Sequence, residues 1–227
     1  MAFRGGAYDA VVRQETGLVL CAALALGLLF GVLPRARVDA LHLVPLCGLA
    51  ALALVTFLNL SSSATDERTF GELSRVCLFA ATMALPILAL NKYTWRAAAG
   101  GIVVAAIGVA SYAVATRVAP GIFGNDSVLP GDRLSYPLDY WNGLGAWAAA
   151  AAVMGLAWSA HAKSRPVRAV ALASVPTAIL CIYLTYSRGG WVAFAVGVLA
   201  VLVVGRGRWT TVVHLLAAAG GAAVAVA

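Results

Sequence analysis

The stretch Leu184-Thr185-Tyr186-Ser187-Arg188-Gly189-Gly190-Trp191 sets one arginine between two long apolar segments, with a hydroxyl before it and two glycines after it. Arginine at the centre of a membrane helix costs about 2.5–3.5 kcal/mol on insertion scales. A chain avoids that cost unless the residue lies at a membrane surface or holds something anionic. Read as a surface turn, the stretch makes the flanking apolar runs two antiparallel helices with a very short connection, and so neighbours. That reading extends to the whole chain.

The sequence is 62% hydrophobic and 11% charged, with a mean hydropathy of +0.91; soluble domains carry roughly 25% charged residues. Apolar runs of about 20 residues recur along its length, each able to cross a hydrocarbon core of about 30 Å. The expected fold is all-α, a polytopic membrane bundle of about eight transmembrane helices, with the lipid bilayer as its surroundings. The net charge of +7 is no nucleic-acid footprint, because no basic stripe with interleaved aromatics accompanies it and membrane proteins place excess Lys and Arg in cytoplasmic loops. Cys21, Cys47, Cys77 and Cys181 all fall in apolar runs without a C-x-x-C spacing. They read as small hydrophobes, with no disulfide, metal site or redox pair.

Residues 1–16 read as a short N-terminal segment and 17–227 as the transmembrane domain. The first apolar run lacks the basic leader and small-residue cleavage site of a signal peptide and reads as a first membrane helix. The expected spans are 17–33, 38–60, 73–90 with a kink at Pro86, 97–118, 140–159, 169–186, 190–204, and a last one from Trp209. Ala119–Asp139 is the longest break, rich in Gly, Pro, Asp and Asn, which is turn chemistry. The apolar end at Ala227 looks cut short, as if the chain were an N-terminal portion of a larger protein.

Loop charges set the orientation. One set of alternate loops holds Arg35, Arg37, Lys92, Arg96, Lys163, Arg165, Arg168, Arg206 and Arg208 against Asp39 alone, and the other set is close to neutral. The positive-inside rule places the first set in the cytoplasm. Ala119–Asp139 and the Arg188 turn are then expected on the extracytoplasmic face of the cell membrane.

Two stretches on that face stand out. Pro130-Gly131-Asp132-Arg133-Leu134-Ser135-Tyr136-Pro137-Leu138-Asp139-Tyr140-Trp141-Asn142-Gly143 leads into the fifth span, and Ser187-Arg188-Gly189-Gly190 joins the sixth to the seventh. Short connections make these three spans neighbours, so Arg133 and Arg188 are expected at one membrane level. Two guanidiniums suit a diphosphate, since arginine donates in a planar fork and stays charged. Gly189 and Gly190 leave room for a ligand to approach the backbone. Tyr136, Tyr140 and Trp141 offer faces for sugar rings. The ordinary readings stand beside these: Arg188 as a snorkelling anchor, Arg133 as a solvated loop charge, the aromatics as an interfacial belt.

Arg133-Leu-Ser-Tyr-Pro-Leu-Asp-Tyr-Trp-Asn142-Gly, followed by a helix, a basic loop, a helix and Leu-Thr-Tyr-Ser187-Arg188-Gly189-Gly190, resembles the O-antigen ligase/Wzy polymerase family of polytopic glycan transferases. The likeness covers about Gly131 to Val204. It implies a GT-C-like helical membrane fold and transfer of a glycan from an undecaprenyl-diphosphate carrier to an acceptor glycan or lipid, with no metal or nucleotide-sugar donor as cofactor. By that resemblance Arg133 and Arg188 are the catalytic pair, stabilising the carrier diphosphate as leaving group. Tyr136, Tyr140, Asn142, Ser187 and Gly189 complete the substrate-binding set, Asn142 matching an asparagine at the helix start whose role is read as structural.

The chain also departs from that pattern. Family members usually carry, beyond this region, a large external loop with a histidine proposed to activate the acceptor. His42, His161 and His214 all fall at cytoplasmic ends and read as loop, anchor or packing residues. Asp126, Asp132 and Asp139 are on the correct face, where turn-forming and arginine-pairing roles are expected ahead of a base. Two other function classes stay open. One is a transporter or flippase for an anionic lipid or solute, against which the helix centres hold no Asp or Glu. The other is a non-catalytic membrane subunit, associating through glycine-rich helices such as the one containing Gly100, Gly101 and Gly108.

Overall fold

The computed structural model describes residue 3 and residues 9–33, 40–60, 66–123, 133–205 and 207–226. Among these, every regular element is a helix: α1 (Ala10–Leu29), α2 (Ala40–Leu58), α3 (Asp66–Ala89), α4 (Trp95–Val118), the single turn α5 (Pro120–Phe123), α6 (Trp141–His161), α7 (Arg165–Thr185), α8 (Arg188–Val204) and α9 (Arg208–Val226). Of the roughly eight spans expected, five are long and apolar enough to cross a membrane: α1, α3, α4, α6 and α7. His42–Leu58 of α2 and the whole of α8 are apolar but shorter. At 1.5 Å per residue, the 17 residues of α8 reach only about 25 Å, short of a typical hydrocarbon core.

The chain is a helical membrane protein, and its surface agrees with its composition. Leu18, Val104, Val192, Leu199 and Val204 are all more than half exposed. In water such a surface would be a large unpaired apolar area, whereas in a bilayer lipid tails cover it.

Local sequence explains several helix ends. The Asp9 carboxylate accepts the Val11 N–H at 2.9 Å, an N-cap that starts α1 upstream of the apolar run at Gly17. Gly31, at φ 63°, follows the last turn of α1, where Val32 N–H bonds back to the Gly27 carbonyl at 3.0 Å, a left-handed glycine stop. Between α3 and α4, the Asn91 side chain accepts the Tyr93 and Thr94 N–H groups at 2.8 and 3.1 Å, a local turn that resets the chain for Trp95.

The helices form two compact units. In the first, up to Ala99, α3 packs against both α1 and α2 and buries Val76, Leu78 and Ala81, with Val12 of α1. The second begins at Gly100 and is built around α6, which packs against α7, α8 and α9. Leu144, Ala148, Ala152 and Leu156 are fully buried; spaced four apart, they form one stripe along α6. Val175, Cys181 and Ile182 of α7 and Ala106, Ala110 and Ala113 of α4 belong to the same core. The small residues bring backbones close, the usual packing of membrane helices. A Cβ on Gly155 would sit 3.2 Å from the Ala171 carbonyl oxygen, and one on Gly197 would sit 2.5 Å from Val153.

α7 packs against α6 and α9, and α8 against α6 and α9. The short α7–α8 turn does not make those two helices packing neighbours as expected, because both lie against the central α6. One end of this unit gathers the start of α6 with the α7–α8 turn. The other gathers the α6–α7 and α8–α9 connections.

Candidate functional site

The α7–α8 turn is assembled by its own hydroxyls. Thr185, fully buried, donates to the Ile182 carbonyl at 2.7 Å and accepts the Ser187 N–H at 3.3 Å. Tyr186 takes a left-handed conformation at φ 51° and ends α7. Ser187 then caps α8: its Oγ accepts the Gly190 N–H at 3.1 Å. The same hydroxyl donates to Asn142 Oδ1 on α6 at 3.0 Å. The Asn142 amide is turned with its oxygen toward the Ser187 hydroxyl and its Nδ2 toward Tyr140 Oη.

A second bond joins the same two segments. The Leu134 N–H donates to the Leu184 carbonyl at 2.9 Å, so the strap before α6 lies on the last turn of α7. The helices also touch at their backbones. A Cβ on Gly190 would lie 3.1–3.2 Å from the backbone of Gly145, and one on Gly145 would lie 2.7 Å from Ser187 Cβ.

These contacts bring together the stretches carrying Arg133 and Arg188. Arg133 is exposed, and its guanidinium lies 5.5 Å from the Trp141 ring centroid, a cation–π contact that holds the fork in place. Arg188 is exposed and is the first residue of α8. Among the described residues neither forms an ion pair. A cation in the first turn of a helix adds to the positive pole of the helix dipole, so Arg188 and the α8 N-terminus share a positive potential that favours an anion. The first N–H groups of α8 have no partner within the helix, apart from that of Gly190, which Ser187 takes.

The remaining expected residues divide by burial. Ser187 is 1% exposed with its proton committed to Asn142, so it positions the turn from beneath. Asn142 is exposed, and its Nδ2 reaches Tyr140 Oη at 3.5 Å. Tyr140 packs on Trp141, with ring centroids 6.2 Å apart, and keeps an open face. Tyr136 leans on Tyr112 of α4 at 6.0 Å, and Tyr112 donates to the Phe123 carbonyl at 3.1 Å, so Tyr136 belongs to an aromatic cluster as well as to the strap. Gly189 and Gly190 separate: packing against Gly145 accounts for Gly190, whereas a Cβ on Gly189 would meet only Ser187 Oγ, at 3.9 Å. Packing gives no reason for glycine at 189.

Asp139 occupies the turn before α6 at φ 53°. The arginine-pairing role expected for it is not what the geometry shows: its Oδ1 is shielded and has no hydrogen-bond partner. Burial raises its carboxyl above the ordinary range. Asp126 and Asp132 lie outside the described residues.

His161 and His214 are at the far end of α6. His161 Nδ1 is 2.9 Å from the Ala157 carbonyl, and His214 Nδ1 is 2.9 Å from Ser159 Oγ. The serine hydroxyl donates to the Leu156 carbonyl at 2.7 Å, so it accepts from His214 and ties α9 to α6. Among the described residues no three His, Cys, Asp or Glu side chains are placed to hold a metal ion. The groups at the Arg188 end with the chemistry to receive an anion are the two guanidiniums and the α8 N-terminus.

Sequence reasoning missed Gly145, Tyr112 and the Leu134–Leu184 bond. Gly145 had a signal, a glycine inside an apolar helix two residues after Gly143. The backbone bond had none. Comparison of the chain with models of known protein families, with curated proteins and with solved structures finds no match to any of them.

Proposed function

We propose that this chain binds the diphosphate of an undecaprenyl-linked glycan at the Arg133–Arg188 end of α6–α8, on the extracytoplasmic face of the cell membrane, and acts in glycan transfer as an O-antigen ligase/Wzy-like enzyme of GT-C-like architecture. One observation carries the reading. The Asn142–Ser187 bond clamps together two segments that each present an exposed guanidinium without an ion-pair partner among the described residues.

The chemistry is a displacement at the anomeric carbon. The acceptor hydroxyl oxygen forms the new C–O bond while the bond to the carrier diphosphate breaks. The diphosphate leaves with the electron pair, and the hydroxyl proton passes to a base. Arg133 and Arg188 stabilise the charge that develops on the leaving group. Such preorganised donors commonly supply about 3–4 kcal/mol each when the site excludes water. Trp141 and the Asn142–Ser187 clamp keep the donors in place before substrate arrives. Gly189, which packing does not require, lets the diphosphate approach the first turn of α8.

The test is surface glycan in cells carrying Arg133→Ala or Arg188→Ala at matched protein level. Loss of glycan in both supports the reading. Undiminished glycan in both contradicts it.

A further inference from the structure

The end of α6 and α7 opposite Arg133 and Arg188 carries a different feature. Val103, Val104 and Ile107 of α4, Trp158 of α6, and Pro166, Val167, Val170 and Ala171 of α7 line an apolar crevice of about 280 Å³. Val104, Val167 and Val170 are exposed, so the crevice opens on the side of the bundle, where lipid tails lie. Small-molecule sites run from roughly 300 to 1,000 Å³ with a few convergent polar groups. This crevice is at the low end and its lining is apolar throughout, the character of a slot for a single hydrocarbon chain.

The segment that supplies two of the lining residues is basic. Pro166 and Val167 belong to Lys163-Ser164-Arg165-Pro166-Val167-Arg168. Lys163 and Arg165 are exposed, and the Arg168 Nε–H is fixed on the Ser159 carbonyl at 2.9 Å. No acidic residue follows Asp139 anywhere in the sequence, so no carboxylate from α6 to α9 neutralises this cluster. Basic pockets between membrane helices are where anionic headgroups bind.

We propose that this corner is a binding site for an anionic glycerophospholipid, with one acyl chain in the slot beside Trp158 and the phosphate held by Lys163 and Arg165. The site is separate from the diphosphate end and does not depend on the glycan-transfer reading.

Trp158 supplies the probe. The protein and its Trp158→Phe variant are reconstituted in phosphatidylcholine vesicles containing increasing fractions of phosphatidylglycerol or phosphatidylcholine brominated on the acyl chains. The fluorescence difference between the two proteins isolates Trp158. Quenching of that component should saturate at a roughly five-fold lower fraction of the brominated anionic lipid, the scale of one basic side chain near an anionic membrane. Lys163→Gln/Arg165→Gln, both at exposed positions, should abolish the headgroup preference while leaving quenching by bulk lipid. Three results overturn the proposal: equal quenching by both headgroups, no Trp158 quenching by either, or a preference that survives the double substitution.

Discussion

Ser187 on the α7–α8 turn and Asn142 on the first turn of α6 are joined by a hydroxyl-to-amide hydrogen bond of 3.0 Å. Ser187 is buried, and the same oxygen caps α8 through the Gly190 N–H. A single side chain therefore sets where Arg188 begins its helix and where the Arg133 strap enters α6.

Asn142→Ala leaves the Ser187 hydroxyl buried without its acceptor. The expected cost is about 1–3 kcal/mol, read as a lower thermal midpoint in detergent. Ser187→Ala should cost more, because it also removes an N-cap worth about 1 kcal/mol. The double variant should be less destabilised than the sum of the two singles. Strict additivity would mean that the two side chains do not act as a pair.

Gly189 and Gly190 should respond in opposite ways to alanine. Alanine normally favours a helix over glycine by about 1 kcal/mol. At 190 the new Cβ meets the Gly145 backbone at 3.1 Å, which cannot move aside as a flexible side chain would, and overpacking of about 1–3 kcal/mol outweighs the gain. Gly190→Ala should unfold at lower temperature than wild type. Gly189→Ala, with no clash to offset the gain, should unfold at or above the wild-type temperature and weaken diphosphate binding. Equal thermal loss in both variants would contradict the distinction.

Asp139 gives a pH dependence of definite sign. Burial raises its carboxyl above the ordinary 3.8, so protonation favours the folded state. That contribution is complete below the ordinary value and is lost as pH rises through the raised one. The ionised carboxylate is the form that burial disfavours, at a residue with φ 53°. Asparagine tolerates that backbone and removes the charge. Asp139→Asn should be slightly more stable than wild type at neutral pH, with the gap closing as pH falls toward 3.8. A variant less stable at neutral pH would mean that the carboxylate has a favourable partner.

The sequence made the helices and the candidate segments legible, because apolar runs broken by Gly, Pro and charge leave little ambiguity. Helix ends moved where side chains intervene: the Asp9 cap extends α1 beyond its apolar run, and the polar Asp66–Glu72 stretch joins α3. The number of spans was harder to read, since hydropathy marks α8 as apolar without registering that it has only 17 residues. Within the site, Arg133 and Arg188 were visible as residue types in unusual places. The division of labour around them was not. Burial sets Ser187 apart from Asn142, and contact with Gly145 sets Gly190 apart from Gly189; both depend on which helix faces meet, which no single segment encodes.

The central claim is that Arg133 and Arg188 hold one diphosphate. Undecaprenyl diphosphate binding to the purified protein in nanodiscs, with undecaprenyl monophosphate as comparison, tests it most directly. Wild type should prefer the diphosphate, and Arg133→Ala and Arg188→Ala should each weaken that binding about ten-fold or more, the loss of one charge-assisted contact of roughly 1.5–3 kcal/mol. Unchanged diphosphate affinity in both variants, at unchanged thermal stability, would contradict the account.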